Sequence, residues 1–466
     1  MQEHSFDYVV IGSGPGGYVS AIRAAQLGLK TAVIERSETG GVCLNWGCIP
    51  TKALLTSAHL YHSATARNSG LIIEGSIKPD VPAMVDHSRK TAKRLSSGIE
   101  FLFKKYNVTL LRGLGYIETS GKIFVKDESG QITDTVHAVN TVIATGARPR
   151  EIGNLKFSDN VMSSREAMLQ QQIPETLLVI GAGAIGMEFA DFYNAIGSRV
   201  TLVEVADHIL PLEEADAASV VKKSMEKRGM EIREKAMVKS LVDTGTSVAA
   251  EIEWKGQTSK EVYSKALLAV GVSPNVEGFG FENTGGILER GFVSIDEMCR
   301  VKGARNLYAI GDVTGGKQLA HKASHEGVIA AEHAAGLHPH SLNQRLVPGC
   351  TYTTPQVASV GYREAELKEK GIPYTTGSFP FSASGKALAM KEGEGFAKVF
   401  LHAQTGEVLG AHLSGADVTE LISNYALGMT SELTAHEFLA TVFPHPTLSE
   451  AVHESMGVAL GVSCNF

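Results

Sequence analysis

A segment that occurs twice limits what this chain can fold into more than any other feature. Asp7–Glu35 reads DYVVIGSGPGGYVSAIRAAQLGLKTAVIE, and Thr176–Glu204 reads TLLVIGAGAIGMEFADFYNAIGSRVTLVE. Each copy runs from a short apolar strand into GxGxxG, then through an amphipathic helix and a glycine to a second apolar strand that ends on glutamate. The interval from the first motif glycine to that glutamate is 23 residues in both (Gly12 to Glu35, Gly181 to Glu204). The glycines have separate duties. The first (Gly12, Gly181) makes the tight strand-to-helix turn, the second (Gly14, Gly183) lets the backbone approach a pyrophosphate, and the third (Gly17, Gly186) lets helix and strand pack closely. The helix start then offers unpaired N–H groups and a partial positive charge to the phosphates. The glutamate at the end of the second strand is placed to accept from ribose hydroxyls. One GxGxxG carries little weight; two copies in the same context define two dinucleotide sites.

The second copy ends on Glu204 followed by Val205 and Ala206, with no arginine to receive a 2′-phosphate. A carboxylate there repels that phosphate, so NAD is expected rather than NADP. The first site holds a different dinucleotide, for which FAD is the natural candidate. VIATGARP (Val142–Pro149) and LLAVGVSP (Leu267–Pro274) are further strands that end in Gly and then Pro, each closing a domain. NLYAIGDVTGG (Asn306–Gly316) is another strand, ending at Gly311-Asp312, where the carboxylate can accept from a ribityl hydroxyl. These returns imply that the second nucleotide unit is inserted into the first. The expected class is α/β: two Rossmann-like dinucleotide-binding domains, one inserted in the other, plus a C-terminal α+β domain. Expected boundaries are 1–147 and 273–345 for the first, 148–272 for the second and 346–466 for the last. In that last part TYTTPQVASVG, AKVFLH and EVLGAHLSG look like antiparallel strands, with helices after them around Glu420–Met429.

The length of 466 residues agrees with about three domains, and 43% hydrophobic residues are enough for several cores. A net charge of −7 with scattered Lys and Arg gives no footprint for nucleic acid, and no apolar run is long enough for a membrane span. The N-terminus enters a strand pattern without a basic region or an apolar signal core, which reads as cytoplasmic or as a processed organelle protein. The five cysteines (Cys43, Cys48, Cys299, Cys350, Cys464) are too few and scattered for a disulfide scaffold. Two of them stand five residues apart in GVCLNWGCIPTK (Gly41–Lys52). No further Cys or His nearby completes a zinc site. An ideal helix holds residues at that spacing too far apart for a relaxed disulfide, so the turn must be distorted. Gly40, Gly41 and Gly47 permit it. A strained, accessible disulfide is reducible, which points to catalysis rather than scaffolding.

From IGSGPGG through GGVCLNWGCIPTK, IGAGAIGMEFA, IGD and LAHKA to HPTLSE, the chain resembles the pyridine nucleotide–disulfide oxidoreductases over essentially its whole length. That resemblance implies that Cys43 is the thiol that exchanges with substrate and Cys48 the one lying against the flavin. It makes Lys52 and Glu188 an ion pair beside the flavin. In FPHPTLSE (Phe443–Glu450), it makes His445 the base and Glu450 the group that orients its ring. A base is needed because a thiol is only a few per cent thiolate at neutral pH. By the same resemblance FAD is held by Gly12, Gly14, Gly17, Glu35, Lys52, Thr145, Gly146, Gly311, Asp312 and Ala320. NAD is held at the unit of Gly181, Gly183, Gly186, Glu188, Glu204 and Gly271. The base comes from the partner subunit, so the site requires a homodimer. The implied reaction reoxidises dihydrolipoamide and passes electrons to NAD. Its implied partners are the lipoyl domain and acyltransferase core of a 2-oxoacid dehydrogenase complex, or a glycine cleavage system.

Some positions depart from the family's usual pattern. Phe443 stands where many members have His, Ser324 and His325 where acidic residues are common, and Val272 where Arg is frequent. His321 and His325 are spaced i,i+4 but lack an evident third metal ligand. A glutathione-specific reductase would carry basic residues near Glu204, and a mercury-specific one a vicinal cysteine pair near the C-terminus, where only Cys464 is present. A flavoprotein scaffold without catalysis would have no need of Cys43, Cys48 and His445 together.

Overall fold

The computed structural model describes residues 2–65 and 70–466. These divide into two compact units, residues 1–53, 85–149 and 272–344 in the first, and 54–84, 150–271 and 345–466 in the second.

The first unit is built on a sheet whose centre is parallel. Gln2–Ile11 pairs with Thr31–Glu35 on one side and Ile132–Ile143 on the other. Thr109–Arg112 extends the first edge, and Leu307–Ala309 adds beside Ile132–Ile143. Lys122–Lys126 and Leu114–Thr119 continue it antiparallel. The short apolar strands read as continuous hydrophobic runs because both faces are covered. Val9, Ile11 and Ile34 pack into one core while Tyr8, Val10 and Val33 pack into the other, the alternation a strand's period of two demands. The return of Leu307–Ala309 to a sheet begun at residue 2 is the insertion that the sequence implied.

In the second unit a five-stranded parallel sheet repeats the arrangement, with Thr176–Ile180 between Arg199–Val203 and Lys265–Leu268. A three-stranded antiparallel meander (Ala236–Asp243, Val248–Trp254, Gln257–Tyr263) covers it. The rest of this unit is an antiparallel sheet ordered Gly349–Thr351, Gln356–Gly361, Val408–Gly415, Phe396–His402, Tyr374–Pro380. Helices Val418–Thr430 and Glu450–Leu460 pack on it. At Gly377 a Cβ would lie 2.0 Å from the Ser455 carbonyl oxygen, so the helix that begins at Glu450 sits directly on strand Tyr374–Pro380.

Candidate active site

Both glycine turns take the form the spacing implied, and each glycine has a distinct reason. Gly12 and Gly181 have φ of +103° and +98°, a region that disfavours any side chain. A Cβ on Gly17 would lie 2.0 Å from the Gly12 carbonyl oxygen, and one on Gly186 1.9 Å from that of Gly181. The middle glycines differ. Gly14 (φ −61°, ψ −178°) and Gly183 (φ −72°, ψ 177°) are extended, and among the described residues nothing approaches within 4 Å of a Cβ built there. Among the described residues no contact requires glycine at these two places, which leaves the backbone there open to close approach. The helices that begin there, Pro15–Gln26 and Ala184–Ala195, have no side-chain cap among the described residues, which leaves first-turn N–H groups for an anion.

The two glutamates do something the sequence did not announce. Glu35 Oε2 accepts from the Ser13 amide and hydroxyl, both at 2.7 Å, and its Oε1 accepts from the Ser37 amide at 2.8 Å. Glu204 Oε2 accepts from the Ala182 amide at 2.7 Å and Oε1 from the Ala206 amide at 2.8 Å. Each buried carboxylate therefore ties the residue after the first glycine to the loop beyond the second strand. Charge-assisted bonds of this kind contribute about 1.5–3 kcal/mol each.

Gly311, Asp312 and Ala320 lie on one turn and the helix after it. Glu326 Oε2 accepts from the Gly311 amide at 2.7 Å, while Lys322 Nζ donates to the Gly315 carbonyl at 2.9 Å and pairs with Glu326 Oε1 at 2.9 Å. Both charged side chains are buried. Breaking such a pair from one side typically costs about 3–5 kcal/mol. Burial pushes the Asp312 carboxyl above the usual carboxylate range, with Lys322 pulling against it. Thr145 and Gly146 are fixed by Asn275: Thr145 Oγ1 donates to the Asn275 carbonyl at 2.7 Å, and the Asn275 amide donates to the Gly146 carbonyl at 2.9 Å. Asn275, Lys322 and Glu326 were missed in the sequence. The only signal was the i,i+4 spacing of Lys322 and Glu326. Gly271 (φ +99°) accepts from the Arg150 amide at 3.1 Å.

Between the cysteines the helix breaks where the glycines allow. Helix Gly41–Trp46 ends at Gly47 (φ −152°, ψ −117°), and a second helix, Cys48–Thr65, begins at the next residue. The start of the first helix is locked to the nucleotide turn: the Gly40 amide donates to the Ser13 carbonyl at 3.1 Å, and a Cβ on Gly41 would lie 2.7 Å from Gly14 Cα. Cys43 and Cys48 are free thiols that lie close together. The neighbouring Cys48 thiol, and then burial, push the Cys43 thiol above its ordinary range, with Lys52 opposing. Cys43 is half-buried and Cys48 exposed. Glu188 is buried in helix Ala184–Ala195 and accepts from the Tyr352 amide at 3.1 Å.

His445 and Glu450 meet directly. The His445 Nδ1 to Glu450 Oε1 distance is 2.8 Å, and the Thr447 amide donates to Glu450 Oε2 at 2.9 Å. Burial raises the Glu450 carboxyl, but the Thr447 amide and His445 outweigh it, leaving the group below the usual range. A carboxylate beside Nδ1 orients the ring and leaves Nε2 facing away from Glu450. The imidazole is 77% exposed on its own chain, so Nε2 is open to a group from outside that surface. Phe443 stacks edge-on against His453, a packing role.

Residues 6–327 match the family described as pyridine nucleotide-disulphide oxidoreductase, and residues 347–456 match that family's dimerisation domain. The chain belongs to the pyridine nucleotide-disulphide oxidoreductases. Within that class, a dihydrolipoyl dehydrogenase from Zymomonas mobilis is 45% identical over the full length of both chains. A protein of the same description from Rhizobium etli is 44% identical over 98% of each. Among solved structures, LpdA from Mycobacterium tuberculosis superposes with a TM-score of 0.90 at 29% identity, covering 97% of this chain and 99% of that one. The family uses FAD and NAD as cofactors, which agrees with the two glycine cradles.

Proposed function

We propose that this protein is a dihydrolipoamide:NAD oxidoreductase working through a Cys43–Cys48 disulfide. The observation that carries the proposal is the close Cys43–Cys48 pair at the helix break of Gly47, tethered through Ser13 and Gly41 to a glycine turn. His445 Nε2 takes the proton from one substrate thiol. The resulting thiolate attacks Cys43 Sγ, breaking the Cys43–Cys48 bond and leaving Cys48 as thiolate. The second substrate thiol then displaces Cys43 from the mixed disulfide. Lipoamide leaves with a new ring S–S bond, and two electrons remain on the cysteine pair. FAD, when bound, relays that electron pair to NAD.

Residues 1–147 and 273–345 form the FAD domain, held through Gly12, Gly14, Gly17, Glu35, Lys52, Thr145, Gly146, Gly311, Asp312 and Ala320. Residues 148–272 take NAD through Gly181, Gly183, Gly186, Glu188, Glu204 and Gly271. Residues 346–466 form a homodimer interface that presents His445 and Glu450 to the partner subunit's thiols. The physiological substrate is the lipoyl domain carried by an acyltransferase core, and the compartment is the cytoplasm. Among the described residues no helix is long and apolar enough to cross a membrane.

The test is a dihydrolipoamide–NAD assay on the wild type and three variants. Cys43→Ser and Cys48→Ser should abolish turnover, and His445→Gln should lower it by ~10²–10⁴-fold. NADH-to-quinone transfer, which needs no thiol base, should survive in His445→Gln. Equal loss of both activities would remove His445 from the role of base. Heterodimers of His445→Gln with Cys43→Ser should regain about half the wild-type rate, because one of the two shared sites collects both lesions and the other is intact. No recovery would place base and thiols on one chain.

A further inference from the structure

The residues that separate the two cysteines are gripped by a helix distant in sequence. On helix Val81–Lys105, Arg89 stacks its guanidinium carbon 4.4 Å from the Trp46 ring centroid, and its Nη2 donates to the Asn45 carbonyl. Two turns further along, Ser96 Oγ donates to Asn45 Oδ1 at 3.0 Å. Asn45 is buried, and its Nδ2 donates to the Thr39 and Gly41 carbonyls at 3.0 and 3.1 Å. Helix Gly41–Trp46 ends one residue later, so the Asn45 carbonyl belongs to the last turn, where no intrahelical amide reaches. A cation is electrostatically favoured at that helix end. Asn45 and Trp46 are thus both held by one side chain at the point where the chain must turn to bring Cys48 back to Cys43.

We propose that Arg89 is a positioning residue for the Cys43–Cys48 couple: by stacking on Trp46 and capping Asn45 it fixes the helix break at the width that brings the sulfurs together. It thereby sets how readily the disulfide forms. The proposal rests on the disulfide reading above. Closing the bond removes two S–H bonds, forms one S–S bond and releases two electrons and two protons. In a lipoamide/dihydrolipoamide buffer the lipoamide ring S–S bond takes them up and opens to the dithiol. Loosening the break lowers the effective concentration of one sulfur at the other, which disfavours the ring-closed state.

The experiment equilibrates the holoenzyme with a series of lipoamide/dihydrolipoamide ratios, quenches with acid, alkylates, and counts free Cys43 and Cys48 by mass spectrometry. Arg89→Gln should shift the equilibrium towards the dithiol by roughly tenfold, the effect expected from losing a stacked, charge-assisted contact. Arg89→Lys keeps a donor for Asn45 but not the planar face, so about a threefold shift is expected. Trp46→Leu should shift it in the same direction, and the double variant with Arg89→Gln should go little further. Flavin content and NADH-to-quinone turnover serve as readouts that a local role leaves in place. The inference is overturned if the equilibrium stays within twofold of wild type in all variants, or if flavin content and quinone turnover fall in step with it. A wild type that forms no Cys43–Cys48 disulfide would overturn both this inference and the function on which it rests.

Discussion

The two nucleotide cradles share one plan and differ in what closes over them. In each, a glutamate carboxylate joins the amide after the first glycine to the loop beyond the second strand, with nearly equal distances. Around the first cradle the protein adds more. Ser13 contributes a hydroxyl as well as an amide, and the redox helix starts against Gly14. Helix Ala320–Ala334 packs so closely on Pro15–Gln26 that a Cβ on Gly16 would lie 2.8 Å from the Ala323 carbonyl oxygen. Gly14 is half-buried and Gly16 buried, whereas Gly183, Ala184 and Ile185 are exposed. The same turn chemistry therefore stands in two settings, one enclosed and one open. A site enclosed by neighbouring elements suits a resident cofactor, and one open to solvent suits a nucleotide that must leave on every turnover.

The sharpest way to break this comparison is at the third glycine. Gly17→Ala should give protein that purifies without flavin. Gly186→Ala should keep its flavin while dihydrolipoamide–NAD turnover falls by ~10²-fold or more, since misplacing a bound group by about 1 Å has that effect. Flavin absorbance per chain and steady-state rates decide it, and loss of flavin in both would mean that the cradles are not independent. Next in size is nucleotide choice. Glu204 should favour NAD over NADP by about 10²-fold in kcat/KM, and Glu204→Gln should shrink the ratio. Comparable values for the two nucleotides in the wild type would remove Glu204 as the discriminator.

A smaller effect isolates the ligand from the fold. Gly14→Ala and Gly183→Ala introduce a methyl group into open space, so thermal stability should hold. Each variant should bind its own nucleotide roughly tenfold more weakly, about 1.4 kcal/mol. A fall in Tm would show that the protein, not the ligand, requires those glycines. The smallest effect tests the extra hydroxyl: Ser13→Ala should cost about 1 kcal/mol in denaturant unfolding. An unchanged midpoint would mean that the first cradle stands on its amides alone, as the second does.

The glycine turns and the flanking strands were legible because their information is local, and the His445–Glu450 pair through the family resemblance that HPTLSE carries. Gly12, Gly14 and Gly17 act within one turn, and His445 reaches Glu450 five residues away. The fixing of Thr145 by Asn275 was not legible, because the partners are 130 residues apart and no spacing encodes them. Arg89 over Trp46 was hidden for the same reason. Lys322 and Glu326 are local, yet the sequence around them, HKASHEG, mixes polar and small residues and does not say which helix face is buried. The glutamates were placed correctly, but the use of their oxygens within the protein depends on backbone amides, which leave no mark in the sequence.

The strand Leu307–Ala309 completes a sheet whose first strand begins at residue 2. During synthesis, then, the N-terminal cradle cannot be finished until roughly two-thirds of the chain has left the ribosome. The edge that Leu307–Ala309 covers is that of Ile132–Ile143, so at about 5–20 residues per second that strand waits unsatisfied for roughly 8–33 s. The apolar end of that strand, Val142 and Ile143, buried in the finished fold, is exposed meanwhile to other nascent chains. Yield in the cell should therefore depend on chaperone supply and translation speed more than on the stability of the finished fold.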